Sequence, residues 1–135
     1  MSLFSFLLDI DGIWNNIFSY LFWFVMMFLI IGLMTMGAQK RITMRHSRSG
    51  LLKSGYVNYC WTYFFIGWMV PIVRCEIGIG MLHLALTFFT FGMFQLIMPF
   101  LYNKQYMTRL LVDGWKLHDS EELNELAKLK LGIEN

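Results

Sequence analysis

The sequence predicts an all-α integral membrane protein with three transmembrane helices, on the basis of its composition and its charge distribution. Of the 135 residues, 57% are hydrophobic and 15% are charged, against about 45–50% and about 25% in soluble domains. Charged residues are absent from 12–39, 54–73 and 77–103. Each gap reaches the ~20 residues that a helix needs to cross a bilayer. A charge-driven nucleic-acid binder, a disulfide scaffold and an enzyme with an aqueous cleft are therefore not expected.

The three apolar runs divide the chain into a transmembrane domain, residues 1–117, and a C-terminal segment, residues 118–135. Gly67 and Pro71 interrupt the second run, and proline removes a backbone donor from a helix. A re-entrant or steeply tilted helix is therefore the alternative to a full crossing there. The predicted spans are about 15–38, 56–73 and 77–102.

Basic residues indicate the orientation. Ten of the eleven Lys and Arg residues lie in the 39–53 loop or after residue 103. Three spans place these two segments on one side, and the positive-inside bias makes that side cytoplasmic. The sequence thus predicts a multi-pass membrane protein with its N-terminus outside and its C-terminus inside. The loop also supplies a basic cluster for the membrane surface, consisting of Lys40, Arg41, Arg45, Arg48 and Lys53.

The third predicted span has one pattern that indicates a buried face. At 100° per residue, nearly all of its polar groups fall on a narrow polar stripe. A polar group facing hydrocarbon is costly, so the stripe should face protein or water. It could line a pore in an oligomer, with His83 as a proton-sensitive group and Phe94 and Pro99 as a gate, or it could hold helices together by hydrogen bonds. The polar stripe consists of Glu76, Gly80, His83, Thr87 and Thr90.

A cytoplasmic amphipathic helix is predicted near the C-terminus. Asp119 or Ser120 is suited to cap its start, and Gly132 lies beyond its end. Thirteen residues are marginal as an isolated helix in water, so its thin apolar stripe needs a partner, either the membrane surface or the same helix of a neighbouring chain. The stripe consists of Leu123, Leu126 and Leu129.

No metal site, cofactor or enzymatic activity is predicted. Cys60 and Cys75 would lie about 22 Å apart on one helix, too far to pair. The histidines His46, His83 and His118 do not have metal-ligand spacing. Paired carboxylates, histidine clusters and Ser/Lys pairs, which membrane enzymes use, are also not evident.

An ordered series of short motifs runs through residues 59–117. It opens with Trp-Thr-x-Phe-Phe, continues through Val-Pro, an Arg-x-acidic turn and Thr-Phe-Gly, and closes with Pro-Phe-x-Tyr-Asn-Lys-x-Tyr and Leu-Leu-x-x-Gly-aromatic. The residues that carry it are Trp61, Thr62, Phe64, Phe65, Gly67, Val70, Pro71, Arg74, Glu76, Thr90, Phe91, Gly92, Pro99, Phe100, Tyr102, Asn103, Lys104, Tyr106, Leu110, Leu111, Gly114 and Trp115.

This series resembles the small bacterial membrane proteins of the HrgC-like family, in which an FFFG…VP..RGDW segment precedes a transmembrane helix and a YNKxY…LLEKGY tail. Two positions depart from that pattern: Cys75 stands where the family usually has Gly, and Ile77 where it has Trp. The family has no established activity. The resemblance therefore implies a bacterial membrane location and fold, and no particular chemistry.

The expected function is that of a non-enzymatic, homo-oligomeric module of the inner membrane. It would form a small pore or act as the membrane effector of a larger defence or mobile-element system, because three spans cannot enclose a hydrated path without several copies. The alternative is a membrane anchor or accessory subunit that recruits a soluble cytoplasmic partner through the 39–53 loop and the C-terminal helix. Membrane lipids are expected contacts, and nucleic acid is not.

Overall fold

The computed structural model describes residues 3–133 and has a mixed α/β fold. Within these residues it contains six helices and one three-stranded antiparallel sheet. The prediction of an all-α protein with three transmembrane helices is therefore wrong. In chain order the elements are α1 (Leu3–Met36), β1 (Lys40–His46), β2 (Leu52–Val57), α2 (Trp61–Ile66), α3 (Met69–Val73), α4 (Ile77–Phe89), α5 (Met93–Val112), β3 (Trp115–Leu117) and α6 (Glu121–Leu131).

Among the described helices, α1 alone is long and apolar enough to cross a membrane. The qualifying segment is Asp9–Met36, of 28 residues, which is about 42 Å long at 1.5 Å per residue. In its most apolar stretch, only 11% of the residues are buried against the rest of the chain. Near its C-terminal end, Gly32 packs directly against the ring of Tyr59. α1 is therefore attached to the rest of the protein near that end.

The second apolar run does not form a span, and the prediction of one at 56–73 is wrong. The run begins inside β2, and its helical part is split into α2 and α3, of 6 and 5 residues. Gly67 ends α2 with a φ of 65°, a left-handed conformation that glycine adopts without a steric penalty. The chain turns back there, so the run is part strand and part short helical hairpin.

The third apolar run does not form a single helix either, and the span predicted at 77–102 is wrong. α4 ends at Phe89, and the turn 90–92 reverses the chain into α5. The two helices are antiparallel, because His83 contacts Phe94 and Glu76 binds Tyr102. Phe91 and Gly92 have positive φ values, of 52° and 86°. α4 and α5 therefore form a helical hairpin, residues 77–112.

The basic loop forms most of the sheet, in the order β2-β1-β3. Met44 pairs with Lys53 on one side and with Leu117 on the other. Ile42 and Met44 alternate with exposed residues along β1, and both are fully buried. They join a core with the C-terminal half of α5 that includes Tyr102, Tyr106, Met107 and Leu110. Successive side chains of a strand point to opposite faces of the sheet, which explains this alternation. The segment predicted as a loop is therefore mostly strand.

The C-terminal helix is present as α6. Its cap is Ser120, whose hydroxyl accepts a hydrogen bond from Leu123 N at 3.4 Å, and Gly132 follows its end with a φ of 73°. Asp119 binds the start of α6 to the sheet, because its Oδ2 accepts a hydrogen bond from Thr43 N at 2.7 Å. The backbone bond from Thr43, followed by that from Ser120, holds the pKa of Asp119 below its usual value.

Candidate functional site

Arg74, between α3 and α4, lies among aromatic rings. Its guanidinium carbon is 4.2 Å from the ring centre of Tyr56, 4.8 Å from that of Tyr106 and 5.0 Å from that of Tyr102. It donates hydrogen bonds to Asn103 Oδ1 at 3.0 Å and to Cys60 Sγ at 3.8 Å. Arginine is suited to such a position because its planar group stacks on aromatic faces while its edge donates.

Glu76 is fixed to α5. Arg109 donates to both of its carboxylate oxygens, at 2.6 and 2.8 Å, and Tyr102 donates at 2.9 Å. Burial acts to raise the pKa of Glu76, but the bonds from Arg109 and Tyr102 and the charge of Arg109 outweigh it and lower that pKa. Hydrogen bonding to Glu76 raises the pKa of Arg109. The pair therefore stays ionised and its charges cancel.

A first pocket, of about 370 Å³, lies between β2, the α2–α3 hairpin and α5. Its charged wall is formed by Lys53 and Arg74, and hydroxyl groups come from Ser54 and Thr62. Lys53 Nζ lies 5.8 Å from the ring centres of both Tyr106 and Trp115. The apolar part of its lining consists of Ile66, Val70 and Val73. Cations and an aliphatic wall thus meet in one cavity.

A second pocket, of about 540 Å³, lies at the β1–β2 turn and is bordered by β3. The described residues that line it include three Lys or Arg and two His, and no Asp or Glu. They come from two parts of the sequence that β1–β3 pairing brings together. This concave cationic surface, called the turn cavity below, includes Arg45, His46, Arg48, Lys116 and His118.

The predicted membrane-surface basic cluster is spread along the sheet. Lys40 and Arg41 begin β1, next to the end of α1, whereas Arg45 and Arg48 belong to the turn cavity. β1 has seven residues, so its ends are about 20 Å apart at 3.4 Å per residue. Lys53 belongs to the first pocket. The five cations therefore face three different surroundings.

The polar stripe makes its contacts inside the same chain. His83 is buried and its Nδ1 lies 3.0 Å from the hydroxyl of Tyr63. Gly80 packs against Ile72, and the hydroxyl of Thr90 donates to Leu86 O at 2.8 Å. Thr87 Oγ1 is buried and has no hydrogen-bond partner among the described residues. Most of the stripe thus has partners within its own chain, and the expected homo-oligomer stays a prediction.

The two residues predicted as a gate are also interior parts of the α4–α5 hairpin. The ring of Phe94 lies 5.1 Å from that of His83, edge to face. Pro99 is buried within α5, and its carbonyl accepts a hydrogen bond from Cys60 N at 2.9 Å. Pro99 is therefore an interior residue and Phe94 packs partly buried against the core of the same chain, and a role for either as a gate stays a prediction.

The apolar stripe of α6 is covered largely by its own chain. Ala127 is fully buried, and Leu126 packs against the main core. Leu123 is partly buried, whereas Leu129 is 78% exposed. Lys130 Nζ lies 3.5 Å from Met36 O, at the end of α1. The stripe is therefore partly covered by the sheet and α5, Leu129 stays exposed, and a further partner for α6 stays a prediction.

The cysteines do not share a helix, contrary to prediction. Cys60 is buried and precedes α2, whereas Cys75 is exposed in the α3–α4 turn. The turn at Gly67 folds the chain back between the two cysteines. As a result Arg74, the residue before Cys75, contacts Cys60. In the part of the chain that the structure describes, no group of three His, Cys, Asp or Glu side chains could hold a metal ion.

Sequence reasoning missed both pockets, because each is formed by residues that are distant along the chain. Tyr56 and Tyr106 are 50 positions apart and pack together at the first pocket. The one available signal in the sequence is the alternation of polar and apolar residues over 41–45, which is typical of a strand. A strand there would have predicted that the basic residues lie on a sheet.

Together, the fold and the two pockets define a small α/β protein with one candidate membrane span and two separate cationic cavities. No family model, curated protein or solved structure matches this chain. The resemblance to the HrgC-like family therefore stays a prediction.

Proposed function

We propose that the protein is a non-enzymatic adaptor, anchored in the bacterial inner membrane, that presents the turn cavity to an acidic soluble partner. The observation that carries this proposal is the separation of two surfaces. Bulky apolar side chains are exposed mainly on α1 and on the helices between Trp61 and Leu101, whereas the turn cavity lies at the far end of β1. One end is suited to lipid and the other to an aqueous anionic partner.

The α4–α5 hairpin is proposed to enter the membrane beside α1 without crossing it. Phe88, Phe89 and Phe91 at its tip are 77%, 75% and 98% exposed. α4 has 13 residues and is about 20 Å long, less than the ~30 Å hydrocarbon core. Both ends of the hairpin then remain on the side that holds the sheet.

The backbone of the hairpin tip supports this placement. Every N–H group from Thr90 to Gln95 has an acceptor within the tip, including Gly92 N on Thr87 O at 2.8 Å and Phe94 N on the Thr90 hydroxyl at 3.0 Å. In hydrocarbon an unsatisfied backbone group costs several kcal/mol. A turn with its donors paired can therefore enter lipid at a lower cost.

The proposed orientation places the N-terminus outside and the sheet inside. If α1 crosses once and both helical hairpins turn back, all eleven Lys and Arg residues lie on one side, and the positive-inside bias makes that side cytoplasmic. The orientation predicted for three spans and that proposed for one span are the same. They differ in the side on which the α3–α4 turn lies.

The turn cavity supports an acidic partner because its charges are not balanced locally. Arg45, Arg48 and Lys116 contribute three cations, and no carboxylate lines the cavity among the described residues. Complementary charge across an interface steers association and fixes register. The occupant proposed here is an Asp- and Glu-rich segment of a cytoplasmic protein. α6 is proposed to support the sheet and not to bind the partner directly, because most of its apolar side chains pack inside the chain.

The test uses the full chain in vesicles of zwitterionic phosphatidylcholine and a fluorescent Glu-rich peptide as the probe. Arg45→Gln/Arg48→Gln removes two cations from the turn cavity, and Lys40→Gln/Lys104→Gln removes two exposed cations elsewhere. We expect the first pair of substitutions to weaken peptide binding about tenfold or more, and the second pair to weaken it by less than about twofold. The reason is that salt screens the attraction between exposed charges that lie further apart than a Debye length. Equal losses in both variants would show a non-specific charge effect and overturn the proposal.

A further inference from the structure

The first pocket opens onto the apolar surface of the α2–α3 hairpin. Ile66 is 51% exposed and Val73 is 78% exposed, and both contribute to the pocket wall. The apolar wall therefore continues outward onto a surface that is proposed to face lipid. The remaining lining includes Lys53, Arg74 and hydroxyl groups. A molecule filling this pocket would need an aliphatic part and an anionic part joined together.

The two cations of this pocket form no ion pair among the described residues, although the carboxylate of Glu76 attracts Lys53 from a distance. The ion pairs among residues 3–133 are Glu76 with Arg109 and Glu125 with Lys128, so neither Lys53 nor Arg74 has a carboxylate partner there. Arg74 has five N–H donors, and its described bonds, to Asn103 and Cys60, use two of them. Glu76, the next carboxylate along the chain, is occupied by Arg109 and Tyr102.

We infer that this pocket binds an anionic phospholipid from the surrounding bilayer. The headgroup phosphate lies between Lys53 and Arg74, and the acyl chains leave over Ile66, Val70 and Val73. Arginine and lysine are the side chains that bind phosphate, and basic pockets beside membrane-embedded helices bind anionic headgroups. The volume of about 370 Å³ is in the range of small-molecule sites. A free phosphate ion would leave the apolar wall unused, which is why a lipid is the occupant.

This inference rests on the membrane placement proposed above, and the experiment separates the two. The full chain is reconstituted in phosphatidylcholine vesicles with or without phosphatidylglycerol. Cys75 lines the pocket and is exposed, whereas Cys60 is buried. The rate at which the neutral reagent N-ethylmaleimide modifies Cys75 therefore reports occupancy of the pocket. A third sample contains phosphatidylcholine and inorganic phosphate in solution.

A reference thiol corrects for the general effect of a negative surface on thiol ionisation. Gln105→Cys in a Cys75→Gly background places an exposed thiol on α5, two residues from the Arg74-bonded Asn103 and outside the pocket. Lys53→Gln removes one pocket cation, and Lys104→Gln removes an exposed cation outside the pocket. Thermal unfolding of each variant confirms that it is folded before rates are compared.

Phosphatidylglycerol is expected to slow modification of Cys75 at least fivefold and to leave the reference thiol within about twofold. Lys53→Gln should reduce this protection about fivefold, the factor equivalent to the ~1 kcal/mol that one basic side chain contributes near anionic lipid. Lys104→Gln should retain it. Equal slowing of both thiols, protection by inorganic phosphate alone, or full protection in Lys53→Gln would each overturn the inference. Failure of the wild type to enter vesicles would instead refute the proposed membrane placement.

Discussion

Glu76 and Arg109 are 33 positions apart and meet through two hydrogen bonds, from Arg109 Nε to Oε1 at 2.6 Å and from Nη2 to Oε2 at 2.8 Å. This bidentate pair joins the residue before α4 to the last turns of α5. It closes the α4–α5 hairpin at its polar end. Charge-assisted pairs of this geometry are stronger than neutral hydrogen bonds.

Replacing Glu76 should therefore destabilise the protein. Glu76→Gln is expected to lower the free energy of unfolding by about 2 kcal/mol, because it weakens charged hydrogen bonds and leaves Arg109 partly buried without its partner. The matched control is Glu125→Gln, which disrupts an exposed pair with Lys128 and should cost less than about 0.5 kcal/mol. Denaturation in mild detergent measures both, and equal losses would contradict the prediction.

The same carboxylate should make stability depend on pH. The folded pKa of Glu76 is below its ordinary value of 4.5, so its stabilising contribution is fully present above that value and is lost as the pH falls through the folded pKa. Between neutral pH and pH 3, the wild type should lose more stability than Glu76→Gln does. Parallel acid-unfolding curves for the two proteins would show that this pair does not contribute to the loss.

Local features of the fold could be predicted from the sequence, and tertiary ones could not. α1 was indicated by a charge-free run and α6 by the caps Ser120 and Gly132, because these signals lie within the element itself. The length of a charge-free run does not reveal its fold. A strand end and two short helices fill 54–73, and a turn with paired donors divides 77–103, although both runs are long enough for a span and free of Asp, Glu, Lys and Arg.

The candidate sites depended on long-range contacts and so escaped prediction. Arg74 interrupts the long apolar stretch and was left without a role, but in the fold it meets Tyr56 and Tyr106. His83, expected to face protein or water, is buried within the chain. Its partner, the Tyr63 hydroxyl, comes from the run that was predicted to be a separate span.

Contact between α1 and the rest of the protein should depend on Gly32. A Cβ atom there would overlap the ring of Tyr59, which is fully buried, whereas a Cβ at Gly12 would meet nothing within 4 Å. Gly32→Ala is therefore expected to cost about 1–3 kcal/mol through overpacking. Gly12→Ala, the matched control in the same helix, should leave stability unchanged or slightly raised. Detergent unfolding of the two variants gives the comparison, and a neutral Gly32→Ala would contradict this contact.

The bond between Tyr63 and His83 should be a structural one. Tyr63→Phe leaves a buried imidazole nitrogen without its 3.0 Å partner and is expected to cost about 1–2 kcal/mol. His83→Leu should also destabilise, and the double variant should cost about 1 kcal/mol less than the sum, because the two residues share one interaction. Tyr20→Phe, on the exposed surface of α1, is the control. Strictly additive losses would show that the two side chains are not coupled.

Cys75 should carry backbone strain. Its φ is 66°, in the left-handed region where residues other than glycine are disfavoured. Cys75→Gly is expected to stabilise the protein by about 0.5–1 kcal/mol, and Cys75→Val to destabilise it because β-branched residues tolerate this region least. Cys75→Ala retains the Cβ and serves as the control near zero. If glycine were no better than alanine at this position, the left-handed conformation would not be present in solution.

The side of the membrane on which Cys75 lies distinguishes the observed fold from three spans. Three crossings would place the 74–76 turn outside, whereas here Arg74 binds Asn103 and Glu76 binds Arg109, on the half of α5 that packs against the sheet. A membrane-impermeant maleimide should therefore modify Cys75 in inverted inner-membrane vesicles and not in intact cells with a permeabilised outer membrane. Asp11→Cys in a Cys75→Gly background, at the far end of α1, should show the opposite pattern. Modification of Cys75 from outside would mean that the second run crosses the membrane and that the α2–α3 hairpin does not form there.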